Sequence, residues 1–150
     1  MQGTGYRMKN RGFILLELII VLFFITVIIG ISTVLFSNTL PTNRLNATVR
    51  NLSSTIRQAR ALAQIHNERK TVTIDLDTKK YGIEGYNPKD IPSDISIKVI
   101  DPVSGEIYQG TYQFFFSPAG SIEGGTIVVW NPKKTVTIQP DPIVGAVVIK

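Results

Sequence analysis

The stretch from Phe13 to Phe36, FILLELIIVLFFITVIIGISTVLF, constrains this chain more than any other feature, because 19 of its 24 residues are apolar. As an α-helix it is roughly 36 Å long at about 1.5 Å per residue, enough to cross a hydrocarbon core of about 30 Å. It is too long for the apolar region of an ordinary secretory signal, and no small-residue cleavage site follows it. The other 126 residues hold 46 apolar ones, an ordinary soluble composition. The sequence therefore reads as an apolar rod joined to a soluble head, which argues against a wholly cytosolic enzyme.

Charge is distributed along the same division. Residues 1–12 carry Arg7, Lys9 and Arg11 and no acid, for +3, and the apolar run carries only Glu17. Residues 37–70 carry +5, and residues 71–150 carry seven lysines against nine acids, for −2. The sequence pI of 9.6 thus says little about the head. The basic flank before Phe13 predicts a cytoplasmic N-terminus and an exported head. Cysteine is absent, so there is no disulfide, thiolate metal site or cysteine nucleophile, and His66 is the one histidine. Glu17 stands out, because a carboxylate in a membrane helix costs up to about 2.5–3.5 kcal/mol at the centre and usually has a task.

The order Arg11-Gly12-Phe13, then Leu15-Leu16-Glu17-Leu18, then unbroken apolar sequence resembles the prepilin signature of type IV pilins and type II secretion pseudopilins. Ile14 departs from it, since Thr or Ser is frequent there. The resemblance implies a leader of residues 1–12, cleavage between Gly12 and Phe13 by a membrane peptidase, and N-methylation of Phe13 by the same enzyme. It implies that Glu17 guides assembly into a helical filament. Physically, the new amine at Phe13 lies one helical turn before Glu17, and an amine of the same or a neighbouring chain neutralises the carboxylate. The plain alternative is that Glu17 snorkels to the interface.

Past the apolar run, Pro41 in Ser37-Asn38-Thr39-Leu40-Pro41 predicts a bend or local unwinding near residues 37–41. An amphipathic helix follows: Leu45, Val49, Leu52, Ile56, Ala59 and Ala63 fall within about 40° of one direction at 100° per residue. This stripe is expected to pack on the head's own sheet rather than form a coiled-coil seam, and the helix to end near Asn67–Lys70, with Arg69 and Lys70 complementing its dipole.

Residues 71–150 contain seven of the eight prolines and eight of the twelve glycines. Between these breakers the strands expected are 71–76, 81–86, 95–99, 106–116 with an interruption at Gly110, 126–130, 135–139 and 146–149. Asn131-Pro132-Lys133-Lys134 reads as a hairpin turn. The fold class expected is α+β: a long N-terminal helix packed on a small antiparallel head of two sheets, with segments 1–12, 13–36, 37–70 and 71–150. Such a thin core needs the stripe of residues 45–63 to fill it. Leu52–Ala63 with His66-Asn67 and Val72-Thr73-Ile74, and later Phe116-Ser117-Pro118-Ala119-Gly120, resemble the GspH/FimT-type minor pilin domain.

Other chemistry is weak. His66 reads as a solvated helix-end residue. Asp75 and Asp77 read as a turn entry, and Asp101–Glu106 lacks the ligands of a calcium loop. Gly124-Gly125 reads as a turn, and Ser117 and Ser121 lack a base. Phe114-Phe115-Phe116 reads as core, with one ring available for a subunit contact. The sequons at Asn46 and Asn51 fall on a predicted helix. No catalytic residue, cofactor, metal or small-molecule substrate is expected.

The reading is a minor pilin or pseudopilin in the bacterial inner membrane with a periplasmic head. Its implied partners are other pilins, the prepilin peptidase/N-methyltransferase and an assembly platform. One alternative is a DNA-binding FimT-like pilin using a partner or DNA patch of Arg50, Arg57 and Arg60. The glycine–arginine–x–arginine motif of such proteins is not matched by Gly145–Lys150, and the head's charge of −2 disfavours phosphates, so nucleic acid is not expected. The other alternative is a single-pass anchored β-domain of different function.

Overall fold

The structure, a computed structural model, describes residues 9–141, 143 and 145–149, with side chains from residue 14 onward except at 37–39 and 147–149. Most of the expected leader lies outside the described residues. The chain divides into two compact units, one up to Leu40 and one from Pro41 onward.

Helix α1 runs Lys9–His66. Of the bend or local unwinding expected at residues 37–41, the unwinding does not occur: α1 keeps helical backbone through Pro41. A proline there removes one backbone bond, and the turns on either side retain theirs. The helix ends where the sequence placed its end. Asn67 takes φ 51°, and the amide of Glu68 donates to the carbonyl of Ala63 at 3.1 Å. This is a Schellman cap with asparagine in the left-handed position, a role Asn tolerates better than most residues with a Cβ.

The second unit holds ten strands after the helix: β1 Lys70–Asp75, β2 Lys80–Ile83, β3 Lys89–Asp90, β4 Ser96–Asp101, β5 Gly105–Ile107, β6 Thr111–Phe116, β7 Ile122–Glu123, β8 Thr126–Trp130, β9 Thr135–Asp141 and β10 Gly145–Ile149. They form two antiparallel sheets, ordered β3-β2-β1-β6-β7 and β10-β9-β8-β4-β5. Gly110, at φ +84°, separates β5 from β6, so the single run read over residues 106–116 is two strands that belong to different sheets. The two-residue strands β3 and β7 carry too little alternation to be seen in sequence.

The core is one cluster. From α1 it takes Leu45, Val49, Leu52, Ile56, Ala59 and Ala63, all six of the predicted stripe. From the first sheet come Val72, Ile74, Phe114 and Phe116, and from the second Val99, Ile127, Val129 and Ile138. Burying the stripe supplies apolar area, at about 25 cal/mol per Å², that two small sheets lack alone. Two threonines on the buried part of the helix, Thr48 and Thr55, satisfy their hydroxyls on the carbonyls of Arg44 and Asn51, both at 3.0 Å. Asn131 locks the β8–β9 hairpin. Its Oδ1 accepts from the amides of Lys133 and Lys134, and its Nδ2 donates to the carbonyl of Pro41 at 2.9 Å.

Candidate functional site

The first unit is set by its surface. Every described side chain from Ile14 to Phe36 is exposed, Glu17 included. A helix apolar on all sides and unburied needs an apolar solvent or other helices around it. By length and composition α1 is able to cross a membrane. The hydroxyls within this stretch are already satisfied by its own backbone: Thr26 Oγ1 donates to Phe23 O at 2.7 Å, Ser32 Oγ to Ile28 O at 2.8 Å and Thr33 Oγ1 to Gly30 O at 2.8 Å. Such back-bonding makes polar residues tolerable in lipid. Glu17 is then the one ionisable side chain of residues 14–36. The backbone of Gly12 and Phe13 lies within α1, while the side chain of Phe13 lies outside the described residues.

Of the three arginines proposed as a patch, Arg50 and Arg57 line one cleft, while Arg60 turns aside. Arg50 is exposed. Arg57 is also exposed, and its Nε donates to the carbonyl of Ser53 at 3.3 Å. Arg60 turns to the C-terminal segment, donating from Nη1 to the carbonyl of Ile143 at 2.7 Å. At Gly145 β10 runs close to α1: a Cβ there would lie 3.0 Å from Arg57 Cγ and 3.8 Å from Arg60 Cδ. The cation that does join Arg50 and Arg57 is Lys134, whose Nζ donates to Asn46 Oδ1 at 3.1 Å. It was not legible in the sequence, since 88 residues separate the two and only the β8–β9 hairpin brings them together.

The other polar groups hold turns. Asp75 Oδ1 accepts from the amides of Asp77 and Thr78, and the Thr78 amide is the main cause of the lowered pKa of Asp75. Asp101 does the same for Val103 and Ser104, and its Oδ2 accepts from Tyr112 at 2.5 Å. The Tyr112 hydroxyl, then the Ser104 and Val103 amides, hold the Asp101 carboxyl below its usual value. Tyr112 is itself pushed up to about 12, first by burial and then by that bond. Ser117 Oγ and Ser121 Oγ pair with each other at 2.6 Å inside an exposed turn. His66 is the exposed last residue of α1. Phe114 and Phe116 are core, whereas Phe115 is half-buried under the Arg69 guanidinium, 4.2 Å from its ring centroid. Arg69 also pairs with Glu123 at 3.4 Å, so it serves the sheet. Among the described residues, no group of three or more His, Asp or Glu side chains is placed to hold a metal.

No family model and no curated protein matches this sequence. The fold is similar to that of a solved structure, the minor pseudopilin EpsH from the type 2 secretion system of Vibrio cholerae. The TM-score is 0.56, over 71% of this chain and 96% of that one, at 10% sequence identity. The shared architecture is a long N-terminal helix against two antiparallel sheets.

Proposed function

We propose that this chain is a minor pilin or pseudopilin, a non-enzymatic structural subunit of a type II secretion pseudopilus or a type IV pilus. The observation that carries the reading is the combination of an unburied apolar helix containing one carboxylate with a head of the pseudopilin fold. A helix that fails to bury itself in its own head is built to be buried in lipid or among other helices. In this reading residues 1–12 are a cytoplasmic leader, the bond between Gly12 and Phe13 is cut, and Phe13 is N-methylated. The head stands on the periplasmic side of the inner membrane. The partners are the prepilin peptidase, an assembly platform and other pilins.

Glu17 does the specific work. A carboxylate among packed helices is stable only with a cationic partner, and the amine freed at Phe13 of a neighbouring subunit is one. The pair exists only after cleavage, so subunits assemble after processing. The stagger at which amine meets carboxylate sets the axial offset between successive subunits.

Two measurements test this. Mass spectrometry of the native protein is expected to show a chain starting at methylated Phe13; retention of residues 1–12 overturns the reading in favour of a plain anchor. Glu17→Leu is expected to insert and be processed normally yet lose the subunit-to-subunit crosslinks formed through the apolar helix. Undiminished crosslinking removes the assembly role of Glu17.

A further inference from the structure

A cleft of about 300 Å³ opens on the second unit, between the helical residues 46–57 and the strand that follows the Asn131 turn. Its buried lining is Val49, Ser53 and Val136, and its polar lining includes Arg50, Arg57 and Lys134. We propose that this cleft is a docking site for an acidic segment of a partner protein, whose carboxylates enter between the three cations.

Three observations converge on a carboxylate. First, the lining holds three cations and no acid, and among the described residues none of the three forms an ion pair. Five other cations of this unit are paired with acids: Arg44 with Asp94, Arg69 with Glu123, Lys70 with Glu68, Lys80 with Asp90 and Lys98 with Glu106. Second, Ser53, 1% exposed, is one of the residues lining the cleft, and among the described residues its buried hydroxyl has no hydrogen-bond partner. A buried hydroxyl without a partner costs about 1–3 kcal/mol, and a ligand oxygen would recover it. Third, two of the cations are already positioned. The bond from Arg57 Nε to Ser53 O fixes one guanidinium, and that from Lys134 Nζ to Asn46 Oδ1 fixes the ammonium. Positioned donors lose less entropy when they bind a carboxylate.

The same lining disfavours nucleic acid. It contains no aromatic ring on which a base would stack, and the cations end at a pocket instead of continuing as a track for successive phosphates. The valines beside the cations suit the methylenes of a glutamate, which a phosphate lacks. The inference concerns the second unit and stands whether or not residues 1–12 are removed.

The test uses the full chain in zwitterionic detergent micelles, with fluorescence anisotropy of two labelled probes: an alternating Glu-Ala peptide and an oligothymidylate of equal charge. The peptide is expected to bind, more weakly as salt rises, and more tightly than the oligonucleotide. Arg50→Glu is expected to weaken peptide binding about tenfold or more, the effect of losing roughly one charge-assisted hydrogen bond. Lys89→Glu, an equal charge change on β3 of the other sheet, is expected to leave it within about twofold, far below that loss. If Arg50→Glu lowers the thermal midpoint, Arg50→Gln replaces it and is expected to weaken binding in the same direction. Three results overturn the proposal: no peptide binding, peptide binding indifferent to Arg50, or oligothymidylate binding as tight as that of the peptide. The last would assign the cleft to nucleic acid.

Discussion

Gly125 shows what a single residue decides here. It joins β7 to β8, where the chain leaves one sheet for the other, and a Cβ at that position would lie 2.3 Å from the carbonyl oxygen of Ile100. The obstacle is backbone, which does not rotate away as a side chain does. Gly124 beside it is held against the ring of Phe114, a fully buried residue. Gly125→Ala is expected to cost about 1–3 kcal/mol by overpacking, read as a fall of several degrees in the thermal midpoint without loss of strand signal. The sequence marks the pair as a turn. That the turn needs glycine for close approach, and not for a left-handed φ, is visible only once Ile100 is in place.

At the scale of elements, the two sheets are tied by a bond as well as by the core. Tyr112 on β6 of the first sheet donates to Asp101 on β4 of the second. Folding raises the pKa of Tyr112 from 10 to about 12 and lowers that of Asp101. The signs follow. The raised tyrosine contributes stability that is complete below about pH 10 and is lost as pH climbs from there through about 12. The lowered aspartate contributes stability present above 3.8 and lost as pH falls below it. Phenolate absorbance of the native protein is expected to show one tyrosine titrating near 12. Asp101→Asn is expected to lower that value while leaving it above 10, since burial is the larger cause. A native Tyr112 with an ordinary titration would break this account.

For the whole molecule, the two units obey different rules. In the second, every core residue lies at or beyond Leu45, so the head and the helical stretch beside it satisfy each other. A fragment of residues 41–150 is therefore expected to fold alone, with a cooperative melt and both helical and strand signal in circular dichroism. A fragment of residues 71–150, lacking the stripe, is expected to lose the cooperative melt, because the two sheets would then expose the apolar faces that Leu52 and Ile56 cover. In the first unit the apolar side chains from Ile14 to Phe36 stay exposed, and such a surface is stable only where lipid or other helices surround it. The same hydrophobic effect that folds the second unit would, in the proposed reading, drive partitioning of the first.

The sequence by itself determined what local chemistry controls. The apolar run, the stripe at helical spacing, the strands at 71–76, 95–99, 126–130 and 135–139, and the Asn131 turn all follow from periodicity and from residues with restricted backbones. Tertiary structure alone decided which strands share a sheet, how Gly110 sends β6 away from β5, and which cations meet. Arg50, Arg57 and Arg60 look like one group along a helix, yet Arg60 is drawn to the Ile143 carbonyl and Lys134 arrives in the cleft from a hairpin 88 residues from its partner Asn46. Spacing along one chain predicts neighbours within an element, whereas a cluster assembled from distant elements depends on loop crossings and packing that no local pattern encodes.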